Sequence, residues 1–142
     1  ALALFIKLMR THDALMVHLR TIIGNFGLQP SHFGILETLY HLGPMRQHEL
    51  AAKLFQTPGN ITRILDKLQE ENLIERLDEA EDRRCFRIAL TRAGEARIGK
   101  VFPQFAAAMH ELFKGLSAEE QKQLNELLRK TGKGLAYSLK NE

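Results

Sequence analysis

Between Thr57 and Leu90 the spacing of apolar residues changes once, from three and four to two, and that change limits the folds open to this chain. Thr57 is a good helix N-cap, because its hydroxyl can accept a helix-end N–H. Pro58 falls at the first helical position, where its fixed φ helps and its missing N–H is not needed. Ile61, Leu65 and Leu68, with Ile64 beside them, mark the buried face of a helix expected to run to about Glu71. Asn72, which tolerates the left-handed conformation, ends it. Residues 73–77 and 85–90 then read as two strands, with Phe86, Ile88 and Leu90 alternating against Cys85, Arg87 and Ala89. Between them Asp78 to Arg84 is charged throughout except for Ala80, so it is expected to form a loop that projects into solvent or onto a charged partner.

The flanks are helical. Residues 2 to 23 place Leu4, Phe5, Leu8, Leu15, Leu19 and Ile22 at mixed three- and four-residue intervals, and Gly24, Asn25 and Gly27 break that helix. Pro30 opens a second helix through about His41, with Phe33, Leu36, Leu39 and Tyr40 as its apolar positions and Gly43-Pro44 as its stop. Gln47 to Phe55 reads as a short third helix with Leu50, Ala51, Leu54 and Phe55 buried. Thr91 can cap a fifth helix striped by Ile98, Val101, Phe102, Phe105, Met109, Leu112 and Phe113, which Pro103 is expected to kink. Ser117-Ala-Glu-Glu120 is a capping box opening a sixth, with Leu124, Leu127, Leu128 and Leu135. A short helix, a tight connection, a capped helix and a hairpin make a winged helix-turn-helix. The fold class is therefore mainly α with a small β-hairpin wing. One intertwined domain is expected, divided into a 1–26 N-terminal helix, a 27–92 winged helix-turn-helix region and 93–142 C-terminal helices.

At 142 residues a second independent core is not expected. The net charge of +3 permits a nucleic-acid partner without demanding one, and its distribution is the better test. Residues 57 to 92 carry 7 basic and 8 acidic side chains, so any DNA contact there depends on where individual arginines point. The single cysteine, Cys85, excludes an intramolecular disulfide and suits a reducing cytoplasm. Ala1 to Ile6 is apolar but lacks a preceding basic region and a following cleavage site, so secretion is not expected. A chain opening on Ala1 instead of methionine is expected to have been trimmed or shortened. No apolar run approaches the roughly 20 residues that cross a bilayer, so no membrane partner is expected.

Opposite the buried face of the fourth helix lie Gly59, Thr62, Arg63, Asp66, Lys67 and Glu70, with Asn60 at the edge. Asn can pair bidentately with adenine and Arg with guanine, while Thr can meet a thymine methyl, all within the major groove. Gly59 would let the helix end come close to the duplex. In the wing, Arg83 or Arg84 could enter a narrow minor groove, with Asp82 holding one arginine in a fixed rotamer.

Gly27-Leu-Gln-Pro-Ser-His-Phe33, Leu50-Ala-Ala-Lys-Leu54, Gly59-Asn-Ile-Thr62, Leu65-Asp-Lys-Leu68, Asp82-Arg-Arg84, Leu90-Thr91 and Gly94 follow one another at the spacing of MarR-family motifs. From about residue 20 to about residue 130 the chain resembles that family. The resemblance implies a DNA-binding transcription regulator that occupies a pseudo-palindromic operator in double-stranded DNA as a homodimer, expected to be a ligand-responsive repressor. It implies that the first, fifth and sixth helices intertwine between two copies, that Asn60, Thr62 and Arg63 lie on the recognition helix, and that Arg84 is the wing arginine steadied by Asp82. Arg46 stands where the family has a capping Thr and can gain a phosphate contact, while Gln29 replaces the usual Thr before Pro30. The set expected to meet DNA is Arg46, Gln47, Thr57, Gly59, Asn60, Thr62, Arg63, Lys67, Asp82, Arg83 and Arg84. The family's response to small phenolic or aromatic effectors puts Arg10, His12, Phe26, Phe33 and Tyr40 forward on position alone.

Other readings have less behind them. Cys85 invites a redox-responsive regulator, but no resolving cysteine exists and a strand thiol is usually inert. His12, His18, His32, His41, His48 and His110 include no His-x3-His pair, so no metal or other cofactor is expected. No Gly-rich phosphate loop, nucleophile elbow or paired metal motif occurs, so no catalytic residue and no enzyme is expected. A winged-helix protein-interaction module without DNA binding is the rival from another class, and the acidic excess in residues 57 to 92 is its support.

Overall fold

The computed structural model describes residues 1–79 and 82–140, the side chains of 79, 82–85 and 135–140 excepted. Its elements in chain order are α1 (Leu2–Gly24), α2 (Pro30–Leu42), β1 (Met45–Arg46), α3 (Gln47–Lys53), α4 (Pro58–Glu70), β2 (Ile74–Glu79), β3 (Asp82–Leu90), α5 (Arg92–Phe113) and α6 (Ala118–Lys140). They fall into two compact units, Ala1–Phe105 and Ala106–Glu142. No helix among the described residues is long and apolar enough to cross a membrane.

In the first unit the apolar faces of α2, α3, α4 and the start of α5 close over the sheet. Ile35, Leu36, Leu50, Leu65, Leu68, Ile88 and Ile98 are wholly buried there. Burying each such side chain is worth roughly 1.5–3 kcal/mol at most. Ile23 joins the same core from the last turn of α1, whereas Leu2, Leu4, Phe5, Ile6, Leu8 and Met9 at its other end are exposed. Phe33 and Phe105 meet at a tilt with centroids 4.7 Å apart, and His41 meets Phe102 edge-on at 4.5 Å, so α2 and α5 share an aromatic seam. Tyr40, expected in the core stripe, stands 45% exposed at the end of that seam, and Ile35 takes the inward position.

The sheet has three strands in the order β1-β3-β2, all pairings antiparallel. The sequence pattern shows two. Met45 pairs with Ile88 and Arg46 with Arg87, a two-residue strand too short for any alternation to be visible. Gly43, at φ 78°, turns the chain out of α2 and into it. The hairpin is also longer than expected. β2 continues through Glu79 and β3 begins at Asp82, with a register shift after Asp78, so most of the stretch read as a charged loop is strand. A run of charges is as compatible with a strand as with a loop, so charge alone does not separate the two. Asp82, Arg83, Arg84 and Cys85 lie in β3 with side chains outside the described residues.

Helix ends are set by local chemistry. Thr57 Oγ1 accepts from Asn60 N–H at 3.3 Å, and Asn72 closes α4 at φ 56°. Arg46 has no acceptor on its side chain, so α3 is capped from the other side, Glu49 Oε2 accepting from Arg46 N–H at 2.8 Å. α3 stops at Lys53, two residues early, because Phe55 adopts φ 51°. That turn lets Gln56 N–H donate to Ala51 O, and it leaves the Phe55 ring 79% exposed instead of buried. Thr91 Oγ1 donates to Asn72 O at 2.7 Å and accepts from Gly94 N–H at 3.0 Å, tying the exit of α4 to the first turn of α5.

In the second unit Ser117 and Glu120 form the expected capping box, Ser117 N–H to Glu120 Oε2 at 2.7 Å and Glu120 N–H to Ser117 Oγ at 3.3 Å. Hydrogen bonding of the Ser117 backbone N–H, and of the Ser117 side chain, to the Glu120 carboxyl holds it below its ordinary pKa. Leu124, Leu127 and Leu128 on α6 are exposed.

Two substitutions test this account. A Cβ at Gly94 would stand 2.0 Å from Leu73 O, so Gly94→Ala should lower unfolding free energy in urea by about 3 kcal/mol or more. Phe55→Gly removes the left-handed penalty at a ring that buries little, and should raise it by about 1 kcal/mol.

Candidate nucleic-acid interface

α4 is amphipathic by construction. With Ile61, Ile64, Leu65 and Leu68 buried, a turn of 100° per residue sends Thr62, Arg63, Asp66, Lys67 and Glu70 outward, and all five are exposed. Gly59 faces open space, where a Cβ would meet nothing within 4 Å. The fold therefore does not require glycine there.

Hydrogen bonds hold the start of this face in place. Thr62 Oγ1 donates to Pro58 O at 2.9 Å and accepts from Gln47 Nε2 at 2.7 Å, so α3 and α4 are joined through two side chains expected to meet DNA. Arg63 Nη2 donates to Asn60 Oδ1 at 3.0 Å, and Asn60 Nδ2 in turn donates to Gln56 Oε1. The relay orients the Asn60 amide and fixes one edge of the Arg63 guanidinium, which lowers the entropy lost when either meets a ligand. Thr57, Gly59, Asn60, Thr62, Arg63 and Gln47 thus come together. Arg46 lies beside them at the junction of β1 and α3.

Two cations stand against the three acidic groups at this face. Asp66 Oδ1 lies 2.7 Å from Arg76 Nη2, and Lys67 Nζ lies 3.5 Å from Glu70 and 3.9 Å from Glu71. The acidic excess of residues 57 to 92 is therefore not a bare negative surface along α4. Arg76 also donates to Gln69 Oε1, and its guanidinium sits 5.5 Å from the centre of the Phe86 ring. One side chain from β2 thus grips α4 and β3 together. Sequence reasoning passed over Arg76, yet a signal existed: it shares strand parity with buried Ile74, and a charge on the inward side of a strand needs a partner. Gln56 was also missed, because its role depends on the left-handed turn at Phe55.

The five residues put forward for an effector are not brought together. Phe33 is 6% exposed and belongs to the core, Phe26 packs partly buried against it, and Tyr40 stands in the aromatic seam. Arg10 and His12 are exposed on α1. A cleft of about 630 Å³ lies between α1, α2 and the end of α3, lined by His12, Met16, Leu19, Arg20, Pro30 and Leu54 among others. His12 alone of the five lines it. Among the described residues no group of three His, Cys, Asp or Glu side chains is placed to hold a metal ion.

Comparison with known proteins agrees with this geometry. The MarR family model matches residues 28–86. The chain is 33% identical over 132 residues to the HTH-type transcriptional regulator MhqR of Bacillus subtilis (strain 168), covering 93% of this chain and 91% of that protein. Among solved structures it is similar to AbsC, a MarR family transcriptional regulator from Streptomyces coelicolor, with a TM-score of 0.86 at 23% identity over 94% of this chain and 93% of that one. It is also similar to NadR, solved in complex with 4-hydroxyphenylacetate, with a TM-score of 0.80 at 24% identity over 89% of each chain.

Arg76→Met keeps an apolar stem against Phe86 and removes the link to Asp66. For a pair whose Asp66 side is open to solvent the expected loss in a urea melt is below about 1 kcal/mol. Amide exchange should nevertheless quicken in β2 at residues 74–79 while α2 is unchanged.

Proposed function

The chain belongs to the MarR family of transcriptional regulators, and on that premise we propose that it is a repressor that binds a pseudo-palindromic operator as a homodimer and leaves it when a small aromatic effector is bound. The observation that carries this reading is the pre-oriented face of α4, where Asn60, Thr62 and Arg63 are exposed or half-buried and held by Gln56, Pro58 and Gln47. Side chains of these types at the start of a helix suit base edges in the major groove, and Gly59 allows close approach. Arg46 and Lys67 suit phosphates, and the wing residues Asp82, Arg83 and Arg84 are assigned to the minor groove.

The homodimer is supported by what a single copy leaves uncovered. Leu2, Leu4 and Phe5 on α1, and Leu127 and Leu128 on α6, are each at least 46% exposed. Two copies related by a twofold axis would set the reading helices one DNA turn apart, roughly 34–36 Å. For the effector, the cleft at α1 offers Met16, Leu19 and Leu54 to an aromatic ring, and Arg20 and His12 to an anionic or phenolic oxygen. It takes the place of the scattered set that position alone suggested.

A duplex selected from a random pool tests the reading. Affinity should fall by orders of magnitude between about 50 and about 200 mM salt, which a protein-interaction module would not show. Arg63→Ala should relax sequence preference at one base position, at a cost of about 1–3 kcal/mol against the preferred base, and Arg84→Ala should weaken binding to all sequences alike. Unchanged affinity and preference in both variants would overturn the reading.

A further inference from the structure

A second polar site adjoins the recognition helix, and its interpretation rests on the DNA-binding reading just given. α2 and α4 flank a cleft of about 610 Å³ whose walls carry Ser31 and His32 from the first turn of α2 and Gly59, Thr62, Arg63 and Lys67 from α4. Asp66, Glu70 and Glu71 line it as well. Asp66 is paired with Arg76 at 2.7 Å, and the two glutamates share Lys67 at 3.5 and 3.9 Å. Arg63 differs. Its hydrogen bond goes to the neutral Asn60 amide, and among the described residues no carboxylate lies within ion-pair distance of it. Among the described residues lining the cleft, it is a cation without a carboxylate partner.

His32 is half-buried in the same wall. The charged groups acting on it are Glu71, Lys67 and Arg63, all from α4. Arg97 of α5 approaches this corner at Gly27, but its guanidinium donates to Phe26 O.

We propose that this cleft seats one backbone phosphate of DNA between a protonated His32 imidazole and the Ser31 hydroxyl, with one edge of the Arg63 guanidinium reaching the same phosphate while another stays turned to the base, so that operator binding takes up a proton. An imidazole carries the charge a phosphate wants only when protonated. In the free protein burial lowers the His32 pKa, Glu71 opposes that shift, and Lys67 and Arg63 add to it, so the ring is neutral at neutral pH. A phosphate beside the ring favours its charged form and raises the pKa in the complex. Affinity therefore rises as pH falls from the raised value of the complex to the lowered value of the free protein, and is level on either side of that window. One proton limits the gain to about tenfold per pH unit.

The test is fluorescence anisotropy of a selected operator duplex with the full chain at fixed salt, at about pH 7.5 and about pH 5.8. Wild type should tighten by about three- to tenfold at the lower pH. His32→Gln should lose that gain, and its salt slope at the lower pH should be shallower by about one. His32→Arg should bind at the tighter level at both pH values. NMR titration of the His32 ring, free and bound, reads the same linkage without a variant. An equal pH response in wild type and His32→Gln, or a ring pKa unmoved by DNA, overturns the phosphate seat and leaves the DNA reading standing. No duplex bound by wild type at either pH overturns both.

Discussion

The burial of four side chains, Ile61, Ile64, Leu65 and Leu68, decides where everything else on this molecule points. A helix is rigid about its axis, so sinking one face into the core fixes the opposite one without further choice. The penalty for rolling α4 is severe: a rotation of one residue would move Ile61 and Leu65 toward water and bring Thr62 and Asp66 toward the core. The hydrogen bonds on the polar side refine this orientation and do not create it. Thr57 stops the helix from unwinding at its first turn, and the Arg63–Asn60–Gln56 relay narrows the rotamers of two side chains already facing outward.

The wing gains its position differently. A two-stranded hairpin alone is marginal in water, and here two devices anchor it. β1 adds a third strand on the far side of β3, and Arg76 reaches from β2 to Asp66 and Gln69 on α4 while packing on Phe86. The arginine is the more informative. It matches a charge on the surface that would otherwise repel a polyanion, and it holds strand and helix in one frame.

How much of this the sequence disclosed follows from the range over which each signal acts. Thr57-Pro58, Asn72, Ser117 with Glu120 and the apolar periods of α4 and α5 are local signals, and each was legible. Met45 and Arg46 were not, because a two-residue strand is defined by its partners, 43 and 41 residues away. Helical spacing continues through Phe55 and puts it on the buried stripe; only the left-handed turn, which no periodicity reveals, puts it outside. The outward face of α4 is legible from its apolar period, whereas Gln56, Arg76 and His32 adjoin it through tertiary contacts. Nor does spacing along the chain show that Phe33 and Tyr40 share an aromatic seam while a cleft forms around Arg20 and Met16.

The first turns of α5 are a junction between parts that share no strand or helix. Gly94 packs against the Leu73 carbonyl at the root of the hairpin, and three residues on Arg97 clasps the Phe26 carbonyl between α1 and α2. Both grips are on backbone, which cannot swing aside as a side chain does. A small tilt of α5 about this point would therefore carry the hairpin root and the α1–α2 corner with it, as two spokes turn with one hub.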